Sequence, residues 1–187
     1  MDSFLFTLVL TFLIALGGRE QLVVAQFTDA VGRSVPLLLI GMACAVASAA
    51  IMAWAGWNIA GLLPARGAAM LVAIALAIAA FELSWKVHLT PMKEPTRSFV
   101  AIGIVLLVRQ LGDAARFVIF ALAAQAVYPV TTVIGGAMGG VAAIALGWFA
   151  GKAQLERIPL HYLRLALATC SIIAALFIGL NARYSSI

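Results

Sequence analysis

The residues with chemistry to offer fall where a bilayer tolerates them least. Arg109-Gln110-Leu111-Gly112-Asp113-Ala114-Ala115-Arg116-Phe117 lies in the middle of an apolar run from about Phe99 to Val127. Leu16-Gly17-Gly18-Arg19-Glu20-Gln21-Leu22 lies inside another, from about Phe4 to Phe27. A charge near a bilayer midplane costs roughly 3 kcal/mol on insertion scales. Two such clusters mark either a site or a set of charges that neutralise one another. As a site, Asp113 and Gln110 are oxygen donors to a metal cation, with Glu20 beside the path and Arg19, Arg109 and Arg116 as its fixed charges. On a continuous helix Arg109, Asp113 and Arg116 share a face, with Gln110 one turn before Asp113. The alternative is an Arg–Asp–Arg cluster that locks helices together, since two guanidinium groups neutralise one carboxylate and oppose both metal binding and proton exchange. Anion recognition by the arginines is a third reading. Glu20 has a local partner in Arg19 or a distant one in Arg116.

Other polar residues read as interfacial. Glu82 and Arg164 fall near predicted helix ends, where long side chains snorkel to the headgroups. His88 and His161 lie at loop or interface depth, and the absence of a midspan histidine argues against a haem ligand. Cys44 and Cys170 sit inside apolar runs, with no disulfide or metal spacing. There is no GxSxG elbow, phosphate loop, HExxH or CxxC, and no nucleophile with a base at plausible depth, so an enzyme is not expected. Gly135-Gly136-Ala137-Met138-Gly139-Gly140 has small residues at four-residue spacing, a signature of close helix packing in membranes.

The elements that must position these residues follow from composition. Of 187 residues, 65% are hydrophobic and 10% charged, against roughly 45–50% and about 25% in soluble domains. The chain reads as an all-α, polytopic integral membrane protein embedded in a lipid bilayer. The net charge of +5 is spread over short loops without a basic stripe, so no nucleic-acid partner is expected. A membrane helix needs about 20 apolar residues. Six segments qualify: Phe4–Phe27, Val35–Trp57, Ala68–Trp85, Phe99–Val127, Pro129–Ala150 and Pro159–Leu180. Met1-Asp2-Ser3 lacks the positive start of a cleaved signal, so the first helix is expected to remain.

The long polar connection Lys86–Arg97 separates two halves, 1–90 and 91–187, of three helices each. Leu16-Gly17 pairs with Leu111-Gly112 and Pro64 with Pro159, each 95 residues on; Gly41 and Trp54 pair with Gly135 and Trp148, 94 on; Phe81 pairs with Phe177, 96 on. Recurrence at a near-constant offset indicates a repeat. An odd number of helices per repeat inserts the second copy upside down, the inverted plan of many secondary transporters. Gly17, Gly18 and Gly112 then permit a helix break near midspan, or merely close packing. Arg33, Lys86, Lys93, Arg97, Lys152 and Arg157 lie on one side and only Arg66 and Arg183 on the other. The positive-inside rule places the richer side in the cytoplasm and both termini in the periplasm of a bacterial inner membrane.

These features resemble the small Gdt-type membrane proteins, exchangers of manganese or calcium for protons. Their hallmark, once per repeat, is Glu-x-Gly-Asp, then a basic residue, then Ser or Thr, often followed by Gln. The resemblance extends over nearly the whole chain. It includes Pro129 with Gly135-Gly136-Ala137-Met138-Gly139, Gly151-Lys152, Leu165-Ala166-Leu167-Ala168-Thr169 leading to Phe177-Ile178-Gly179, and Leu63-Pro64-Ala65-Arg66. In the second motif Gly112 and Asp113 keep the family's identity, while Gln110 stands for Glu, Ala114 for the basic residue and Ala115 for the hydroxyl. In the first, Ala15 stands for Glu and Gly18 for Asp; Gly17, Arg19 and Gln21 remain, and Glu20 takes the hydroxyl's place. Three of four acidic positions are thus changed, whereas hard divalent cations want several oxygen donors. The resemblance implies a secondary transporter exchanging a divalent cation for protons, with no resident cofactor. The changed motifs keep open a non-transporting scaffold, as a homo-oligomer or a subunit of a membrane complex.

Overall fold

The computed structural model describes residues 2–87, 98–155 and 157–184. Residues 88–97, with His88, Lys93 and Arg97 of the connection between the halves, lie outside the described residues. Among the described residues eight helices form: α1 (Asp2–Ala15), α2 (Arg19–Val31), α3 (Val35–Gly61), α4 (Ala65–Ser84), α5 (Phe99–Leu111), α6 (Ala114–Gln125), α7 (Pro129–Leu155) and α8 (Leu160–Tyr184). Among the described residues there is no strand. Proline marks the starts: Pro36 lies in the first turn of α3, Pro64 caps α4, Pro129 opens α7 and Pro159 precedes α8. At such positions the missing N–H is not needed.

Four helices, α3, α4, α7 and α8, are long and apolar enough to cross a membrane, and α1 with α2 forms a fifth candidate span bent by 59°. α5 and α6 are shorter apolar helices. The unbroken segments Phe4–Phe27 and Phe99–Val127 are therefore corrected, because each is interrupted within its polar cluster. Gly17 has φ 71°, a left-handed conformation that favours glycine, and α2 restarts two residues later. At the second break Gly112 keeps φ −92°, and Asp113 begins α6 as its N-cap, its Oδ2 accepting from the Ala115 N–H at 3.1 Å.

The halves repeat in element order. α2, α3 and α4 begin at residues 19, 35 and 65; α6, α7 and α8 begin at 114, 129 and 160, 94 or 95 residues later. α7 lies at the centre, touching α1, α2 and α3, while α4 packs along α8 and against α6. Small residues set these distances. A Cβ on Gly135 or Gly139 would lie 2.6 Å from the carbonyl oxygen of Phe4 or Leu8 on α1, and one on Gly147 would lie 2.8 Å from Gln21 on α2. Ala45, Ala49 and Ala53 give α3 a fully buried small-residue stripe.

The outside is apolar. Leu39, Trp54, Phe81, Val108, Phe149 and Phe177 are all more than half exposed. With so apolar a surface and such long apolar helices, the chain is an integral membrane protein. Trp85 and Tyr162 are exposed at the end that carries Lys86 and Arg157, as in an interfacial aromatic belt.

Candidate ion site between two broken helices

The two breaks face each other. Each interruption leaves backbone groups without helical partners, and side chains take them up. At the first, the Gly17 N–H donates to Gln21 Oε1 at 2.7 Å, while Gln21 Nε2 donates to the Ala143 carbonyl of α7 at 2.9 Å. Gln21 thus fixes the elbow of α1–α2 to the central helix. At the second, Asp113 Oδ2 takes the Ala115 N–H and Glu82 Oε2, from α4, takes the Ala114 N–H at 3.3 Å. Both carboxylates lie at the positive end of α6, where negative charge is favoured.

Between the breaks Glu20, Gln110, Asp113 and Arg116 are all buried. Arg116 Nη1 lies 3.7 Å from Glu20 Oε1, an ion pair without a hydrogen bond. Arg116 Nε donates to Ser48 Oγ at 2.8 Å, and Ser48 Oγ lies 3.0 Å from Gln110 Oε1. Gly140 makes room for the guanidinium: a Cβ there would stand 3.4 Å from both Nη1 and Nη2. Glu20 Oε2 and Asp113 Oδ1 converge on Gly18, lying 3.4 and 3.5 Å from the position a Cβ on that residue would take.

This centre is undersupplied with hydrogen bonds. Glu20 Oε1 and Oε2, Asp113 Oδ1, Gln110 Nε2 and Arg116 Nη1 and Nη2 are buried without a hydrogen-bond partner. Buried polar atoms normally have partners, so a cluster of orphans calls for a ligand or water. A carboxamide turned end for end in the same envelope donates Nε2 to Ser48 and frees Oε1, so Gln110 also has an oxygen to offer. Among the described residues no three His, Cys, Asp or Glu side chains come together as a metal-holding group.

The breaks also separate residues that a continuous helix would align. Arg109 ends α5 exposed, whereas Arg116 is fully buried on α6 and turned to Glu20 and Ser48. Among the described residues no arginine pairs with Asp113, so the Arg–Asp–Arg cluster is not what forms. Arg19 is half exposed and lies 4.0 Å from Glu82. A cavity of about 310 Å³ reaches Asp113 between Arg19, Glu82, Val108, Arg109 and Gly112.

Two interfacial readings are corrected. Arg164 is 3% exposed and Glu82 15%, and they pair at 3.2 Å inside the protein. Ser48 and Gln21 are further residues of the centre. Ser48 was hidden in an Ala-rich run; Gln21 follows the first motif, and the signal for its role is its position one turn beyond Gly17.

Fold and site together define an integral membrane protein with a buried, partly unsatisfied polar centre where two broken helices meet. Residues 98–186, which comprise α5 to α8, match the sequence model of GDT1, described as a divalent cation/proton antiporter. The match supports membership in this family over residues 98–186. No curated protein and no solved structure matches it.

Proposed function

We propose that the protein exchanges a divalent cation, manganese or calcium, for protons at the centre between the breaks. In this reading Glu20 and Asp113 are the exchange carboxylates, Gln110 adds an amide oxygen, and water completes the coordination that such cations require. The observation that carries it is the convergence of unpartnered Glu20 and Asp113 oxygens on Gly18. A cation entering there gains oxygens that have no competing hydrogen bond; protons on the same oxygens restore neutrality when it leaves. Arg116 is a tethered positive charge that holds Glu20 between cycles.

The scaffold is read as six crossings in two inverted halves, with α1–α2 and α5–α6 as the paired broken spans. Roughly 1.5 Å per residue makes the 13-residue α5 and the 12-residue α6 about 37 Å long end to end, enough for a core of about 30 Å. The end bearing Arg33, Lys86, Lys152 and Arg157 faces the cytoplasm, and both termini face the opposite side of a bacterial inner membrane.

Proteoliposomes with an imposed pH gradient test the exchange. Manganese or calcium flux should depend on the gradient and fall at least about tenfold in Asp113→Asn and in Glu20→Gln, the equivalent of about 1.4 kcal/mol. Flux unchanged by both substitutions would overturn the assignment. Absence of flux from the folded wild type, with a stoichiometric partner copurifying, would instead support a scaffold.

A further inference from the structure

Two cavities approach each other at the Glu82–Arg164 pair. Glu82 belongs to the wall of the 310 Å³ cavity that reaches Asp113. Arg164 belongs to the wall of a second cavity, of about 340 Å³, between Gly17, Trp85, Lys86 and His161 where α4, α7 and α8 end or begin. One ion pair thus has one member in each wall.

The pair is lopsided. A single nitrogen, Arg164 Nη2, makes all the contacts, at 3.3 Å to Glu82 Oε1, 3.2 Å to Oε2 and 3.3 Å to the Glu82 carbonyl. Nε and Nη1 are buried with no acceptor. A fork-to-fork arginine–carboxylate pair uses two nitrogens at about 2.7–2.9 Å; here the guanidinium is held at one corner and the donors of its other two nitrogens are unspent. Glu82 has alternatives on its other side, since Oε2 also takes the Ala114 N–H and Oε1 lies 4.0 Å from Arg19 Nε. The Arg164 stem rests on the α1–α2 elbow, where its Cδ is 3.4 Å from the position of a Cβ on Gly17. A shift of that elbow therefore bears directly on the guanidinium.

We propose that the Glu82–Arg164 pair closes the Asp113 cavity against the vestibule at the ends of α4, α7 and α8, and that Glu82 is a further carboxylate of the ion path. The inference rests on the transport reading in assigning a path to Asp113. When Arg164 swings away, the two cavities join and Glu82 faces the same space as Asp113 with an oxygen free for a passing cation or proton. When the pair closes, Arg164 neutralises Glu82 and the guanidinium blocks the passage.

The test reads water access and needs no flux. A Gly112→Cys reporter, with Cys44→Ala and Cys170→Ser, is exposed in membrane vesicles of either orientation to a membrane-impermeant thiol reagent. From the face bearing Lys86 and Arg157, labelling should be slow with the native pair and at least tenfold faster in Glu82→Gln and in Arg164→Gln. Arg164→Lys, and the exchange of Glu82→Arg with Arg164→Glu, should return it to the native rate, which also covers a single variant that fails to fold. Unchanged labelling in the variants, or acceleration equally from both faces, would overturn the gate. Should labelling respond as expected while cation flux is absent, the gate stands and the transport reading fails. Flux that depends on Asp113 with no labelling response gives the reverse.

Discussion

At the scale of single residues, the centre is defined as much by Gly18 as by the charges around it. Gly18 is the N-cap of α2 with φ −65° and ψ 159°, and no side chain caps that end. Asp113 occupies the same place on α6 with φ −86° and ψ 149°, and caps it. Aspartate at such a position contributes about 1 kcal/mol relative to an uncapped end. A Cβ on residue 18 would stand 3.0 Å from the Ala15 carbonyl oxygen and 3.4 and 3.5 Å from Glu20 Oε2 and Asp113 Oδ1, so an aspartate there adds a carboxylate beside these two. Glu20, Asp113 and Arg116 together leave a single net negative charge, a poor match for a divalent ion. Gly18→Asp is therefore expected to lower the half-saturating manganese or calcium concentration about tenfold, or about 1.4 kcal/mol, in proteoliposome flux. Weaker or unchanged binding by a folded variant would show that the cation does not pass between these carboxylates. Ser48 has a simpler role: it accepts from Arg116 Nε in a buried setting. Ser48→Ala should cost about 1–3 kcal/mol as a lower thermal midpoint, without shifting cation selectivity.

At the scale of elements, the two breaks look alike in the sequence and differ in what they demand of their glycines. Gly17 holds φ 71°, and a Cβ there would also meet Leu160 Cβ at 3.0 Å. Gly112 keeps a right-handed conformation, and the nearest atom to its Cβ position is 3.9 Å away. Gly17→Ala should accordingly cost about 1–3 kcal/mol, whereas Gly112→Ala should be nearly neutral; parallel thermal unfolding in detergent distinguishes them. Equal losses would mean that the elbow is not held as described. The apolar segments and the polar clusters are legible from hydropathy, because burial in lipid constrains every residue of a span. The breaks were only half legible, since a window of about 19 residues averages over an interruption of two or three. Helical phase was the stronger signal that depth concealed. Ala75 and Ala79 lie seven and three residues before Glu82 on the buried side of α4, and Arg164, Ala168, Ser171 and Ala175 form one buried stripe of α8. Such small-residue stripes mark the protein-facing side, so both charges were aimed inward although their depth resembled an interface. Ser48 had no comparable signal, because a hydroxyl in an alanine run can pack as readily as it can bond.

At the scale of the whole molecule, topology turns on whether the α5–α6 pair completes a crossing. The Gly103 backbone lies beside Ile40 near the start of α3, while Phe120 on α6 packs against Gly56 near the other end of α3. The pair therefore travels most of the length of a 27-residue helix. Nothing in its composition needs to stop halfway: Arg116 is buried against Glu20 and Ser48, and only Arg109 must be satisfied from outside or through the cavity beside Asp113. A full crossing places Ser98 and Tyr128 on opposite faces of the membrane; a re-entrant pair returns them to the same face. In a chain with its own cysteines replaced, Ser98→Cys and Tyr128→Cys should label with an impermeant thiol reagent from opposite faces. Ser98→Cys should share its face with Arg33→Cys, and Tyr128→Cys should share its face with Ser3→Cys, whose Oγ lies 3.1 Å from Thr131 at the opposite end. Labelling of Ser98→Cys and Tyr128→Cys from one face would reduce the chain to five crossings. That outcome would remove the inverted relation between the halves, because a second half of two spans cannot be an inverted copy of a first half of three.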